Sequence, residues 1–211
     1  CSTGAIRYRF PDIGAGGTMY VRFYWRTSTN FLMVPGGGGS KLFYHNSFPY
    51  GSPYPSSVRG SGSNHRVRWS MPNGSTNKFA VIRWDSGDTG TSETGANVGS
   101  DEMPCDGTWT CIELYVKANS AAGAANGEIK WWMNDVLQGQ FLTAITRGAG
   151  PGGDSPDGNA AFNTFSIDGF FGGNNAFIHP AQASYYDNVV ASTNRIGCIG
   201  GSLVASVAPI S

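Results

Sequence analysis

The chain has 211 residues, 14 of them Lys or Arg and 14 Asp or Glu, so its formal net charge is zero. Charged residues make up 13%, about half the usual share of roughly 25%, while glycine, at 31 residues, runs at about twice its usual 7% or so. Twelve Phe, six Trp and nine Tyr argue against a disordered chain. Scarce Glu and Lys argue against a helical bundle, and no apolar run approaches the roughly 18 residues that span a bilayer. The length suits one large domain, taken here as residues 1–211.

Strand patterns follow one another along the chain. Ala5–Phe10 alternates apolar and basic residues, which sends Ile6, Tyr8 and Phe10 to one face of a strand and Arg7 and Arg9 to the other. Thr18–Arg26 repeats the pattern, with Val21, Phe23 and Trp25 opposed to Arg22, Tyr24 and Arg26. Further strands are predicted at Lys41–Asn46, His65–Met71, Lys78–Trp84, Trp109–Ala118, Gly127–Asn134, Phe162–Phe171, Ser184–Ser192 and Leu203–Val207. Residues 35–39, 47–62, 86–104, 118–127 and 146–159 are rich in Gly, Pro, Ser or Asn and read as loops. About ten strands without strand–helix alternation predict an all-β fold, an antiparallel two-sheet β-sandwich.

Charge is split along the chain. Residues 1–83 carry ten Lys or Arg against one acid, Asp12, and residues 84–211 carry four against thirteen. If strands from the two parts interleave, opposite charges become cross-strand neighbours. Two separate lobes would instead make a strong dipole, suited to stacking or to polyanion binding. The basic part has no Lys/Arg run of the kind that marks a nucleic-acid partner. Four cysteines allow three pairings. The expected one joins Cys1 to Cys198, tying the chain ends, and Cys105 to Cys111, closing a small loop. Disulfides, low charge, abundant Gly and Asn and few Lys point to an extracellular protein or one on a cell or virion surface; the sequon Asn73-Gly74-Ser75 is a triplet that chance often produces.

A fixed succession of segments carries a resemblance. Tyr20–Arg26 (YVRFYWR) precedes a Gly-rich turn into Lys41-Leu42-Phe43; Gly107–Asn119 (GTWTCIELYVKAN) precedes Gly127–Asn134 (GEIKWWMN); Tyr185–Ser192 (YYDNVVAS) leads to Arg195-Ile196-Gly197. This order resembles the concanavalin A-like lectin/glucanase superfamily, in particular its laminin-G-like and polysaccharide-lyase-like members. The resemblance implies a jelly roll of two curved sheets whose concave face often holds a glycan. It also implies calcium near the last strand, which nominates Asp187. Many relatives have Asn-Gly at the hairpin where this chain has Asn134-Asp135; both residues tolerate the left-handed backbone such a turn needs.

Catalytic signatures are weak. The Glu-x-Asp-x-x-Glu strand of hydrolases with this fold is missing, and so are the Gln-Ile-His and Tyr-x-Lys-x-Gly-x-Tyr patterns of its alginate lyases. A glycan-binding surface is better supplied, since sugars offer apolar faces to aromatic rings and hydroxyls to charged or amide groups. The candidates are Tyr44, Arg66, Arg68, Arg83, Glu113, Tyr115, Lys117, Lys130 and Trp132. Their cationic excess favours an acidic glycan; the competing reading has the aromatics filling the sandwich and the charges pairing together. Asp154 and Asp157, in a Gly-containing loop, are oxygen donors suited to calcium, or else members of an Asx turn. The sequence thus points to non-catalytic, lectin-like carbohydrate binding. A self-assembling subunit of a filament, sheath or virion and a lyase acting on an acidic glycan are the alternatives.

Overall fold

The computed structural model describes residues 6–29, 31, 40–46, 66–70, 83–85, 92–94, 105–121, 124–144, 162–171 and 182–200. Within them lie eleven strands: β1 (Ile6–Ile13), β2 (Thr18–Thr27), β3 (Ser40–Asn46), β4 (Arg66–Ser70), β5 (Arg83–Asp85), β6 (Ser92–Thr94), β7 (Thr110–Lys117), β8 (Gly127–Met133), β9 (Val136–Ala144), β10 (Phe162–Phe171) and β11 (Ser184–Ser192). They form two antiparallel sheets, one ordered β1-β10-β3-β4-β5-β6 and the other β11-β2-β7-β8-β9. This is the expected all-β sandwich.

Period-two alternation sets what each sheet buries. From β2, Val21, Phe23 and Trp25 enter the core, joined by Ile112, Leu114 and Val116 of β7 and by Ile129 and Trp131 of β8. The six-stranded sheet contributes Phe43, Val67, Trp69, Phe165 and Ile167. Aromatic rings bridge the two layers, with Phe23 4.7 Å from Phe43 and Trp25 edge-on to Phe43. Such pairs add about 0.5–1.5 kcal/mol each beyond the area they bury. His45 belongs to this interior: it is fully buried, and its Nδ1 accepts a hydrogen bond from Trp69 Nε1 at 3.0 Å.

The charge split becomes an interleaving. Strands β1 and β3 of the basic part flank β10, and β2 lies between β7 and β11. The separate-lobe alternative is therefore excluded.

Two strands escape the sequence pattern. β9 (VLQGQFLTA) is an edge strand whose apolar residues do not alternate. β6 has three residues and falls inside a segment that reads as a loop. Of the predicted Lys78–Trp84 strand, positions 83 and 84 belong to β5, and 78–82 lie outside the described residues, as does Leu203–Val207. Between β8 and β9, Asn134 (φ 49°) and Asp135 (φ 66°) adopt the left-handed turn expected of them.

Candidate functional site

The nine predicted glycan contacts divide between the outer faces of the two sheets. On the six-stranded sheet, Phe165, His45 and Val67 form a buried rung that continues to Tyr8 on β1 and Trp84 on β5. The rungs on either side have the opposite phase. One runs Arg7–Ser166–Tyr44–Arg68–Arg83–Thr94 across all six strands. The other runs Arg9–Thr164–Asn46–Arg66–Asp85–Ser92. Cross-strand partners share a sheet face, so twelve positions bring together five arginines and one acid. Six strands spaced about 4.8 Å apart make this row about 24 Å wide. Thr164 and Ser166 are buried in its middle, Tyr44 is half-buried, and Arg7 and Arg9 at the β1 edge are exposed. Arg7 and Arg9 were absent from the predicted set. Their alternation along β1 was visible, but their alignment with Arg66 and Arg68 depends on β10 lying between β1 and β3.

On the five-stranded sheet, Glu113, Tyr115, Lys117, Lys130 and Trp132 gather around a different task. Residues 193–200 leave β11 and cross its outer face as a strap. Glu113, 1% exposed, accepts hydrogen bonds from the backbone N–H of Ile196 at 2.7 Å and of Gly197 at 3.2 Å. Arg195 Nε stands 3.5 Å from the same carboxylate, its Nη2 3.3 Å from Asp135, and its guanidinium 4.9 Å from the centre of the Trp132 ring. Asp135 accepts from the N–H of Cys198, and the Tyr24 hydroxyl accepts from that of Ile199 at 2.7 Å. Asp135 thus explains the departure from Asn-Gly: a glycine would make the turn and keep the carbonyl that accepts from Arg195, but offer the strap no side-chain acceptor. Gly197, at φ 70° and against Asp135, lets the strap turn there.

Beside the strap, Tyr20, Tyr115 and Trp132 form an aromatic cluster, with Tyr20 and Tyr115 4.5 Å apart. Burial, then the Glu128 charge and Tyr20, push the Tyr115 hydroxyl well above its usual range. Lys117 and Lys130 both pair with Glu128, at 2.9 and 2.6 Å. Burial works to raise the Glu128 carboxyl, but the hydrogen bonds and charges of Lys130 and Lys117 outweigh it and leave it lowered. On this face Lys117, Lys130 and Arg195 each stand against a carboxylate.

The disulfide pairing differs from expectation. Cys111 is bonded to Cys198, with Cα atoms 6.0 Å apart, so neither Cys1–Cys198 nor Cys105–Cys111 forms. The strap brings Cys198 over the start of β7, a proximity that sequence spacing does not reveal. Cys105 is free and half-buried, and burial pushes its thiol up to about 11, so it stays protonated at neutral pH. Cys1 lies outside the described residues, as do Asp154 and Asp157. Asp187 accepts a hydrogen bond from the N–H of Asn188 at 2.7 Å. Among the described residues no three His, Cys, Asp or Glu come together.

No family model matches the chain, and no curated protein matches it. Among solved structures it is similar to an alginate lyase determined with an alginate trisaccharide, at 18% identity over 92% of this chain and 78% of that one, TM-score 0.57. It is also similar to an endo-β-1,4-glucuronan lyase from the fungus Trichoderma reesei, at 12% identity over 90% and 74%, TM-score 0.54. At these identities the likeness is one of fold: the chain is a jelly-roll β-sandwich.

Proposed function

We propose that the protein binds an acidic polysaccharide, without cleaving it, on the outer face of the six-stranded sheet. The observation that carries this reading is the pair of rungs holding five arginines and one acid in phase. A guanidinium meets a carboxylate through two parallel hydrogen bonds, and the Tyr44 ring can lie against the apolar face of a sugar. The Cys111–Cys198 bridge suits an oxidising compartment, and no described helix is long and apolar enough to cross a membrane; both accord with work outside the cell. The test is binding to an array of uronate-containing and neutral glycans. Wild-type protein should retain the uronates selectively, and Arg68→Gln and Tyr44→Ala should each weaken retention about tenfold, equivalent to about 1.4 kcal/mol. Equal retention of neutral glycans, or binding indifferent to both substitutions, defeats the proposal.

A second reading, lyase action on such a glycan, draws on two of the sandwiches that it matches, which are named as alginate and glucuronan lyases. Elimination needs a group to take the proton beside a uronic carboxylate and cations to neutralise that carboxylate. His45 is unsuited, since it faces the core and burial lowers its pKa to about 3. Tyr44, on the rung of Arg68, is the remaining candidate on β3. A growing ultraviolet absorbance from unsaturated uronate ends, lost in Tyr44→Phe, establishes this reading; uronate binding without it leaves the first.

A further inference from the structure

The charges on the arginine face are bipartite. Arg66, Arg68 and Arg83 occupy β4 and β5, while Arg7 and Arg9 occupy β1 at the opposite edge. Between them lie two strands whose positions on these rungs hold only uncharged polar residues: Ser166 and Thr164 on β10, Tyr44 and Asn46 on β3. Three strand spacings separate β1 from β4, about 14 Å. Like charges this far apart, beyond a Debye length of about 8 Å at physiological ionic strength, repel each other little. A ligand with a single anionic group can satisfy one cluster only; a chain with anionic groups repeated along it can satisfy both.

We infer that Arg7 and Arg9 form a distal subsite that makes the face selective for ligand length, so that it holds a polyanionic chain long enough to bridge β4 and β1 more tightly than a short one. This rests on the binding reading above. Binding both clusters with one chain makes the second contact intramolecular, so the gain appears only once the chain spans the gap. Ile6 and Tyr8, which alternate with these arginines, lie in the phase of the core residues Ile167 and Phe165 and yet are exposed. The first half of the edge strand, residues 6–9, is therefore exposed, Arg7 and Arg9 included, while Phe10 and Ile13 pack on the core.

Titration calorimetry with alginate and glucuronan oligosaccharides of graded length, from disaccharide to octasaccharide, tests the inference. Wild-type affinity should rise with length and then level off. The double variant Arg7→Gln/Arg9→Gln should bind the shortest oligosaccharides as the wild type does, and the longest about tenfold more weakly. Its loss on long oligosaccharides should shrink as salt is raised. Thermal melting of the variant, with all binding measured well below its midpoint, separates lost binding from lost fold. If the double variant follows the wild type at every length while Arg68→Gln loses binding, the distal subsite is refuted and the binding reading stands. If the wild type binds none of these oligosaccharides, both are refuted.

Discussion

Glu113 illustrates how a residue that looks like a ligand can be told apart from an anchor. Replacing it with alanine removes an acceptor shared by the N–H groups of Ile196 and Gly197 and leaves Arg195 with Asp135 alone. Hydrogen bonds to a charged group contribute about 1.5–3 kcal/mol each, and a buried donor left unpaired costs about 1–3 kcal/mol. Part of this is recovered, because Ile196 and Gly197 are only half-buried and can take water once the strap loosens. The expected loss is therefore about 2–4 kcal/mol. In a chain of this size each kcal/mol lowers the melting temperature by about 2–4 °C, so the midpoint should fall by about 5–15 °C. Calorimetry supplies the midpoint, and glycan retention measured well below it supplies the binding. If Glu113→Ala melts within about 2 °C of the wild type but no longer retains uronates, then Glu113 is a ligand and the strap argument fails.

Three other outcomes follow from the same geometry. Cys198→Ser opens a loop with a sequence separation of 87, for which the chain-entropy account gives a loss of up to about 4.6 kcal/mol and common experience about 2–4; urea midpoints measure it, and non-reduced peptide mapping should find Cys111 joined to Cys198. His45 has a folded pKa of about 3 against 6.5 when unfolded, so its neutral form stabilises the fold above pH 6.5 and that contribution drains away as pH falls from 6.5 toward 3. Urea midpoints taken from pH 7 to 3.5 should therefore decline in the wild type and decline less steeply in His45→Gln; parallel slopes contradict the assignment. Asp135→Gly keeps the turn but removes the acceptor for Cys198, and should raise amide hydrogen exchange at residues 195–199 at a cost of about 1 kcal/mol; unchanged exchange there contradicts the anchoring role.

Where strand-forming residues send an apolar face into the core, as in Thr18–Arg26 and Trp109–Ala118, the sequence pattern alone locates strands and core correctly. It fails at β9, since an edge strand buries little and has no need to alternate. The candidate site was legible only by parts. Arg66 and Arg68 were seen to share a face because they lie two apart on one strand, but sharing a rung with Arg7 or Arg83 depends on strand order, which is a long-range property. Glu113, Tyr115 and Lys117 were likewise seen to share a face, as were Lys130 and Trp132, but that the two sets lie side by side depends on β7 pairing with β8. Their employment was not visible, because the strap that occupies Glu113 and Trp132 comes from some eighty residues downstream of Glu113.

The interleaving of early and late strands has a kinetic consequence. Among the described residues β1 pairs only with β10, and β2 is flanked on one side by β11, so both strands wait for partners made well over a hundred residues later. Pairings so distant in sequence must meet the entropy of closing a long chain before they return any energy, which slows the search. The β1 edge of the arginine row is thus completed only after β10 has been made.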